Sequence, residues 1–158
     1  MTQLNVRRIV TGHNESGDAV IIKDDAITGK VGDAGEFVLA WTTDVFPSNN
    51  NDVFDGSRRD VRSVSPGGTA LQFATINPGK SSSHHRTRSL DYAIILAGEI
   101  ELELDHGITT RCTVGDVIIQ RGTIHTWRNP TDQPTTIVFV LVDAMPVSVA
   151  GRKLDSSY

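Results

Sequence analysis

Ten short β-prone segments follow one another along this chain, each closed by Gly, Pro, Asn or Asp, and that cadence is the sign of a sandwich or barrel. The expected strands are 6–11, 19–23, 36–42, 69–76, 92–96, 99–104, 109–113, 117–120, 126–128 and 135–142. The plainest is Glu99-Ile100-Glu101-Leu102-Glu103-Leu104, whose strict alternation sends the apolar residues to one face and the glutamates to a solvated one. Asp105-His106-Gly107 then reads as a hairpin turn, His106 being a polar turn residue. Gly98 and Gly115 stand where a small barrel turns its tight corners. Thr135 to Val142 is nearly unbroken in apolar residues and reads as a strand buried on both faces.

With 158 residues and no repeat or linker, the chain is expected to form one domain over 1–158. Residues 1–45 would supply amino-terminal strands and 68–145 the barrel core. Residues 46–67 are polar and irregular and read as a lid-like loop, with Val53, Phe54 and Val61 to dock it. The tail over 150–158 is expected to be loosely held. A net charge of −4 argues against a nucleic-acid partner, which would need clustered Lys and Arg. No apolar run approaches the ~20 residues of a membrane span. The amino-terminal residues lack the basic and apolar regions of a secretory signal, and the single cysteine, Cys112, leaves no internal disulfide. A cytoplasmic location is the corresponding expectation, with Cys112 a buried, inert thiol.

Two polar stretches interrupt the β pattern. The first is Gly79-Lys80-Ser81-Ser82-Ser83-His84-His85-Arg86-Thr87, running on to Asp91 and Gly98. The second is Gly115-Asp116-Val117-Ile118-Ile119-Gln120-Arg121-Gly122, ending at His125 and Asn129. Together they resemble the two motifs of the cupin superfamily, which implies an all-β, double-stranded β-helix (jelly-roll) barrel around a metal or a small ligand. The family's first motif carries His-x-His and a Glu. Counting back from Gly98 puts the carboxylate at Asp91 and the histidine positions at His84 and Arg86, or at His85 and Thr87 in the alternative register. The first register is preferred because Gly79 then precedes His84 by nearly the family interval. One histidine is missing in either.

Residues two apart on a strand share a face, so in that register His84 and Arg86 look into the barrel and His85 looks out. The resemblance then implies His84, Asp91 and His125 as ligands of a divalent metal (Fe, Mn, Ni or Zn), with His85 as the alternative to His84. Two imidazoles and a carboxylate suit a non-haem iron with open positions. Arg86 cannot replace a histidine ligand, because a guanidinium stays protonated. It would pair with Asp91 or orient an oxygen-rich substrate. Asp91, His125 and Arg86 are thus the candidate catalytic residues, and Arg86, Tyr92, Gln120 and Trp127 the candidate substrate contacts. A metal-free polar cluster of Asp91, His125 and Arg86 stays open beside the metal site.

A closer resemblance spans most of the chain. The run His85 to Tyr92, with Leu96-Ala97-Gly98-Glu99-Ile100-Glu101-Leu102, the run Gln120 to Asn129, Phe139 to Ala144, and Arg7-Arg8-Ile9-Val10-Thr11-Gly12-His13 are similar to small single-domain cupins of bacteria and fungi. Fungal members of that group accompany polyketide pathways and are described as cupin-domain oxidoreductases. The resemblance implies a metal-dependent oxidoreductase acting on an oxygenated, polyketide-like molecule. Two alternatives stand beside it. One is a metal-independent lyase or isomerase (a dehydratase or decarboxylase) using His125 or Asp91 as general acid and base. The other is a non-catalytic small-molecule binding module. By analogy with the family a homodimer is expected, with the strand at 6–10 as the pairing edge.

Overall fold

The computed structural model describes residues 3–61 and 63–158. Among the described residues thirteen strands are present: β1 (Asn5–His13), β2 (Ala19–Thr28), β3 (Lys30–Val31), β4 (Glu36–Thr42), β5 (Thr69–Ile76), β6 (Ser89–Ala97), β7 (Glu99–Glu103), β8 (Thr109–Thr113), β9 (Val117–Arg121), β10 (Thr126–Arg128), β11 (Thr135–Asp143), β12 (Val147–Val149) and β13 (Arg152–Leu154). Each of the ten expected strands is among them. A six-stranded sheet in the order β3-β4-β5-β11-β6-β9 faces a three-stranded sheet, β10-β7-β8, and all pairings are antiparallel. The architecture is the jelly-roll barrel that the segment pattern and the motifs imply.

The hydrophobic core lies between the two sheets. Ile95 and Ile137 come from the large sheet and Ile100, Leu102 and Cys112 from the small one, and all five are buried. Alternation along β7 works as its sequence dictates. Ile100 and Leu102 go in, while Glu101 and Glu103 meet Arg128 at 3.0 and 2.6 Å, and Glu99 pairs with Arg111. β11 sits between β5 and β6 and so has no free edge; Thr135, Ile137, Val138 and Leu141 are buried, while Thr136, Val140 and Val142 are half-buried, so one face is less covered than the apolar run implies. In the turn between β7 and β8 both His106 (φ 60°) and Gly107 (φ 71°) are left-handed, so the histidine shares the positive φ expected of the glycine alone. Burial raises the pKa of the Cys112 thiol, which suits an inert side chain.

The amino-terminal strand and the segment 46–67 add detail to the sequence reading, and the tail departs from it. β1 pairs along its length with β2 of the same chain, and this hairpin is held against the barrel by Arg8. The tail is tied down: β12 and β13 form a hairpin, and Ser157 exchanges backbone hydrogen bonds with Arg86 at 2.8 and 3.0 Å. Short strand segments of ordinary composition gave the sequence no cue for that pairing. Among its described residues the segment 46–67 contains a 3-10 turn at Gly56–Arg58, fixed to β4 by the Thr42 hydroxyl donating to Gly56 O at 2.6 Å. Among the described residues no helix is long and apolar enough to cross a membrane.

Candidate functional site

The barrel encloses a cavity of about 450 Å³, within the range that takes a small organic molecule. Phe37, Ile76, Trp127, Ile137, Phe139 and Leu141 make its apolar wall. Its polar wall is contributed by Gln72, His85, Thr87, Asp91, Gln120 and His125. The rim is the turn from β3 into β4, Lys30 to Glu36. From the lid-like segment 46–67, Ser63 alone among the described residues lines this cavity.

Backbone pairing decides which motif residues face inward. The stretch before β6 runs antiparallel to β10: His85 and His125 exchange N–H···O bonds at 3.0 and 2.9 Å, and Ser82 N donates to Trp127 O at 2.8 Å. The inward parity is therefore His85 and Thr87, continuing through Ser89 and Asp91. His84 and Arg86 are placed on the opposite side, which corrects the preferred register. His84 is exposed, with Nδ1 at 2.9 Å from the Thr126 hydroxyl on the outer surface. The Arg86 Nε donates to Gly122 O at 3.1 Å and the side chain contacts neither Asp91 nor the cavity. Tyr92 is next to Asp91 and so points out, 38% exposed and opposite the exposed Ile119. Trp127 does line the cavity, packed edge-on against His125 and Phe139 at centroid distances of 6.0 and 5.8 Å. Asn129 is structural: its amide donates to Ile76 O and Gln133 O and its carbonyl accepts from Thr131.

The imidazoles lie 4.3 Å apart, centroid to centroid. A carbonyl can only accept, so the 3.0 Å contact of His125 Nδ1 with Thr123 O and the 2.8 Å contact of His85 Nδ1 with Ser83 O fix the proton on Nδ1 in each neutral ring. Nε2 is then the lone-pair nitrogen of both. Burial lowers the pKa of His125 from 6.5 to about 4, opposed by the bond to Thr123 and helped by its two histidine neighbours, His85 and His84. Burial acts on Asp91 in the other direction. Its pKa is raised, although the hydroxyls of Ser89 and Thr87 both donate to it and His85 lies close. The enclosure thus drives both groups toward their uncharged forms.

Whether these residues fit a metal can be read from the donors. His85 and His125 offer two nitrogens, each oriented by a backbone carbonyl in the way metal-bound histidines are. The third donor is lacking. Thr87 stands where the family has its second histidine, and both Asp91 oxygens are engaged by Ser89 and Thr87. Among the described residues no group of three His, Cys, Asp or Glu side chains comes close enough to hold an ion. As arranged, the set does not fit a three-ligand metal site.

Sequence reasoning reached Thr87 only through the alternative register and missed Ser89, although the signal was present. Thr87-Arg88-Ser89-Leu90-Asp91 is polar at every second position, and all three of those polar residues are buried.

Comparison with known proteins bears on the same region. The cupin domain model matches residues 72–141, from the second half of β5 to β11. The chain is 36% identical to the phomopsin biosynthesis cluster protein C' of Diaporthe leptostromiformis, over 93% of this chain and 83% of that one. It is 32% identical to the oryzines biosynthesis cluster protein J of Aspergillus oryzae, over 96% and 90%. With the cupin-domain-containing oxidoreductase srdB of Neurospora crassa it shares 29% identity, over 94% and 79%. A jelly roll whose motif strands meet at the His85–His125 bridge, matched by that domain and by relatives along nearly its whole length, makes the chain a member of the cupin domain family.

Proposed function

We propose that this protein is an enzyme of small-molecule biosynthesis that performs proton-transfer chemistry, an isomerisation or dehydration, on an oxygenated and largely apolar substrate held in the barrel. The observation that carries the proposal is the placement of His125 and Asp91, each driven toward its neutral form, on the wall of one apolar cavity. His125 Nε2 has the lone pair to accept a proton from a carbon beside a carbonyl, and its Nδ1–H is held by Thr123 O. Asp91, whose burial favours the protonated carboxyl, is suited to deliver a proton to the carbonyl oxygen as the enol forms. Proton removal and delivery by two uncharged groups moves no net charge into the low-dielectric cavity, which is the arrangement enolisation needs. Biosynthesis-cluster names among the relatives support the small-molecule setting.

A divalent-metal oxidoreductase is the second reading. The oxidoreductase names of several relatives favour it, as do the two correctly oriented imidazoles.

Deuterium exchange separates the two. 2-Hydroxyacetophenone is incubated with the protein in D2O and followed by NMR at the carbon beside the carbonyl. Exchange above the buffer rate that persists in EDTA and is lost in His125→Ala supports acid–base chemistry. Exchange abolished by EDTA and restored by Fe, Mn, Ni or Zn supports the metal reading. No enzyme-dependent exchange under either condition overturns proton transfer.

A further inference from the structure

We propose that Gln120 is the specificity-determining anchor of the cavity, and that it selects ligands carrying a hydroxyl next to a carbonyl. The proposal rests on the cavity being the small-molecule site argued above. It adds which residue reads the ligand and which ligand chemistry it reads.

Three side-chain amides are buried among the described residues: Gln72, Gln120 and Asn129. Asn129 is saturated by the 129–133 turn. Gln72 has its amide nitrogen tied to Ser63 O at 2.5 Å. Gln120 differs from both. It is 3% exposed and lines the cavity, yet neither Nε2 nor Oε1 has a hydrogen-bond partner among the described residues. Its cross-strand neighbour is Asp91, whose two oxygens already accept from Ser89 and Thr87. A buried amide with neither atom paired is costly, and proteins seldom keep one without a use.

The amide presents one donor and one acceptor on a single carbon, so the complementary ligand carries its acceptor and donor on adjacent atoms. An α-hydroxyketone does this: its carbonyl accepts from Nε2 and its hydroxyl donates to Oε1. A plain ketone satisfies Nε2 and leaves Oε1 unpaired. An ionised carboxylate offers acceptors only and sets an oxygen against Oε1. A site built to pair a hydroxyl rejects the analogue lacking it more strongly than an apolar wall can.

The test is calorimetric titration of wild type with three probes of one size: 2-hydroxyacetophenone, propiophenone (a methyl in place of the hydroxyl) and phenylglyoxylate. The expected result is that 2-hydroxyacetophenone binds about tenfold or more tighter than either of the others. In Gln120→Met the preference over propiophenone falls to within about threefold. Because that variant removes an unpaired buried amide, its Tm rises by about 2–4 °C, which also reports that it folds. Equal affinity of wild type for the hydroxyketone and propiophenone overturns the anchor, and leaves proton transfer to stand or fall on the exchange experiment. A preference undiminished in Gln120→Met, a lowered Tm of that variant, or tighter binding of phenylglyoxylate overturns it too. So does a wild type that binds none of the three.

Discussion

His85 and His125 form a bridge between the stretches that lead into β6 and β10, exchanging both backbone hydrogen bonds while their rings lie 4.3 Å apart, tilted by 54°. Burial, helped by the neighbouring His85 and His84 and opposed by the bond to Thr123 O, lowers the pKa of His125 to about 4. The unfolded chain binds that proton near 6.5, so between these values it holds more protons than the folded chain. Stability is therefore lost as pH falls from about 6.5 to 4. Across that window, in EDTA, wild type should lose about 3 kcal/mol relative to His125→Asn. Urea unfolding at pH 7 and 4.5 measures the difference. NMR of the His125 ring should show it neutral down to about pH 5.

Asp91 has the opposite sign. Its raised folded pKa means that the folded protein holds a proton the unfolded chain has released, so its contribution falls as pH rises from 3.8 through the folded value. Asp91→Asn keeps an acceptor for the buried hydroxyls and carries no charge. Its stability relative to wild type, both in EDTA, should improve as pH rises from about 4 through the folded Asp91 pKa and stay level above it. Asp91→Leu leaves the Ser89 and Thr87 hydroxyls without their acceptor and should cost about 2–4 kcal/mol at either pH. Denaturant midpoints of the three proteins decide the matter.

The barrel was legible because its strands carry their own period. Glu99 to Leu104 alternates, β11 is apolar from Ile137 to Val142, and the glycines at 98 and 115 mark corners. The site was legible in composition and illegible in parity. His84 and His85 are adjacent, so a one-residue choice of register exchanges the inner and outer faces. Counting from the motif glycines favoured His84 and Arg86. What sets the parity is the pairing of this stretch with β10, a contact between segments about forty residues apart that no local spacing encodes. Tyr92 and Trp127 illustrate the same limit. Both are aromatic beside a motif residue, and only the strand's phase sends Trp127 inward and Tyr92 out.

Arg8 pins the amino-terminal hairpin to the barrel. Its guanidinium donates to both oxygens of Asp25 at 2.9 and 2.7 Å, to Asp55 at 2.7 and 3.2 Å, and to Ala40 O at 3.3 Å, and it lies 5.7 Å from the Trp41 ring centroid. Asp55 also takes the Lys23 ammonium at 2.6 Å and caps the turn at 56–58 through Ser57. Removing the guanidinium leaves the largely buried Asp55 with only Lys23 and Ser57 and deprives Asp25 of its partner, so Arg8→Ala should cost about 3 kcal/mol. The amides of β1 and β2 should lose hydrogen-exchange protection before those of β5 and β11. The Arg8 bond, ahead of those to Lys23 and Ser57, holds the Asp55 pKa well below 3.8. Its contribution is therefore complete above the ordinary carboxylate pKa and is lost as pH falls through the depressed one.

Gly98 and Gly115 separate two reasons for a glycine. Both are left-handed, at φ +73° and +92°. A Cβ at Gly115 meets nothing within 4 Å, so Gly115→Ala should cost only the backbone strain of about 1–2 kcal/mol. At Gly98, between β6 and β7, a Cβ would stand 2.6 Å from Pro134 O and 3.0 Å from Thr135 Cα. Neither neighbour is a flexible side-chain end, and Thr135 is fully buried with its hydroxyl donating to Glu99 O at 2.5 Å. The start of β11 would have to move away from the corner, which loosens the strand at the centre of the large sheet. Gly98→Ala should therefore cost at least about 3 kcal/mol, clearly more than Gly115→Ala, in urea unfolding at one pH. Equal losses in the two variants would mean that the Pro134–Thr135 backbone yields freely, and that conformation alone fixes glycine at this corner.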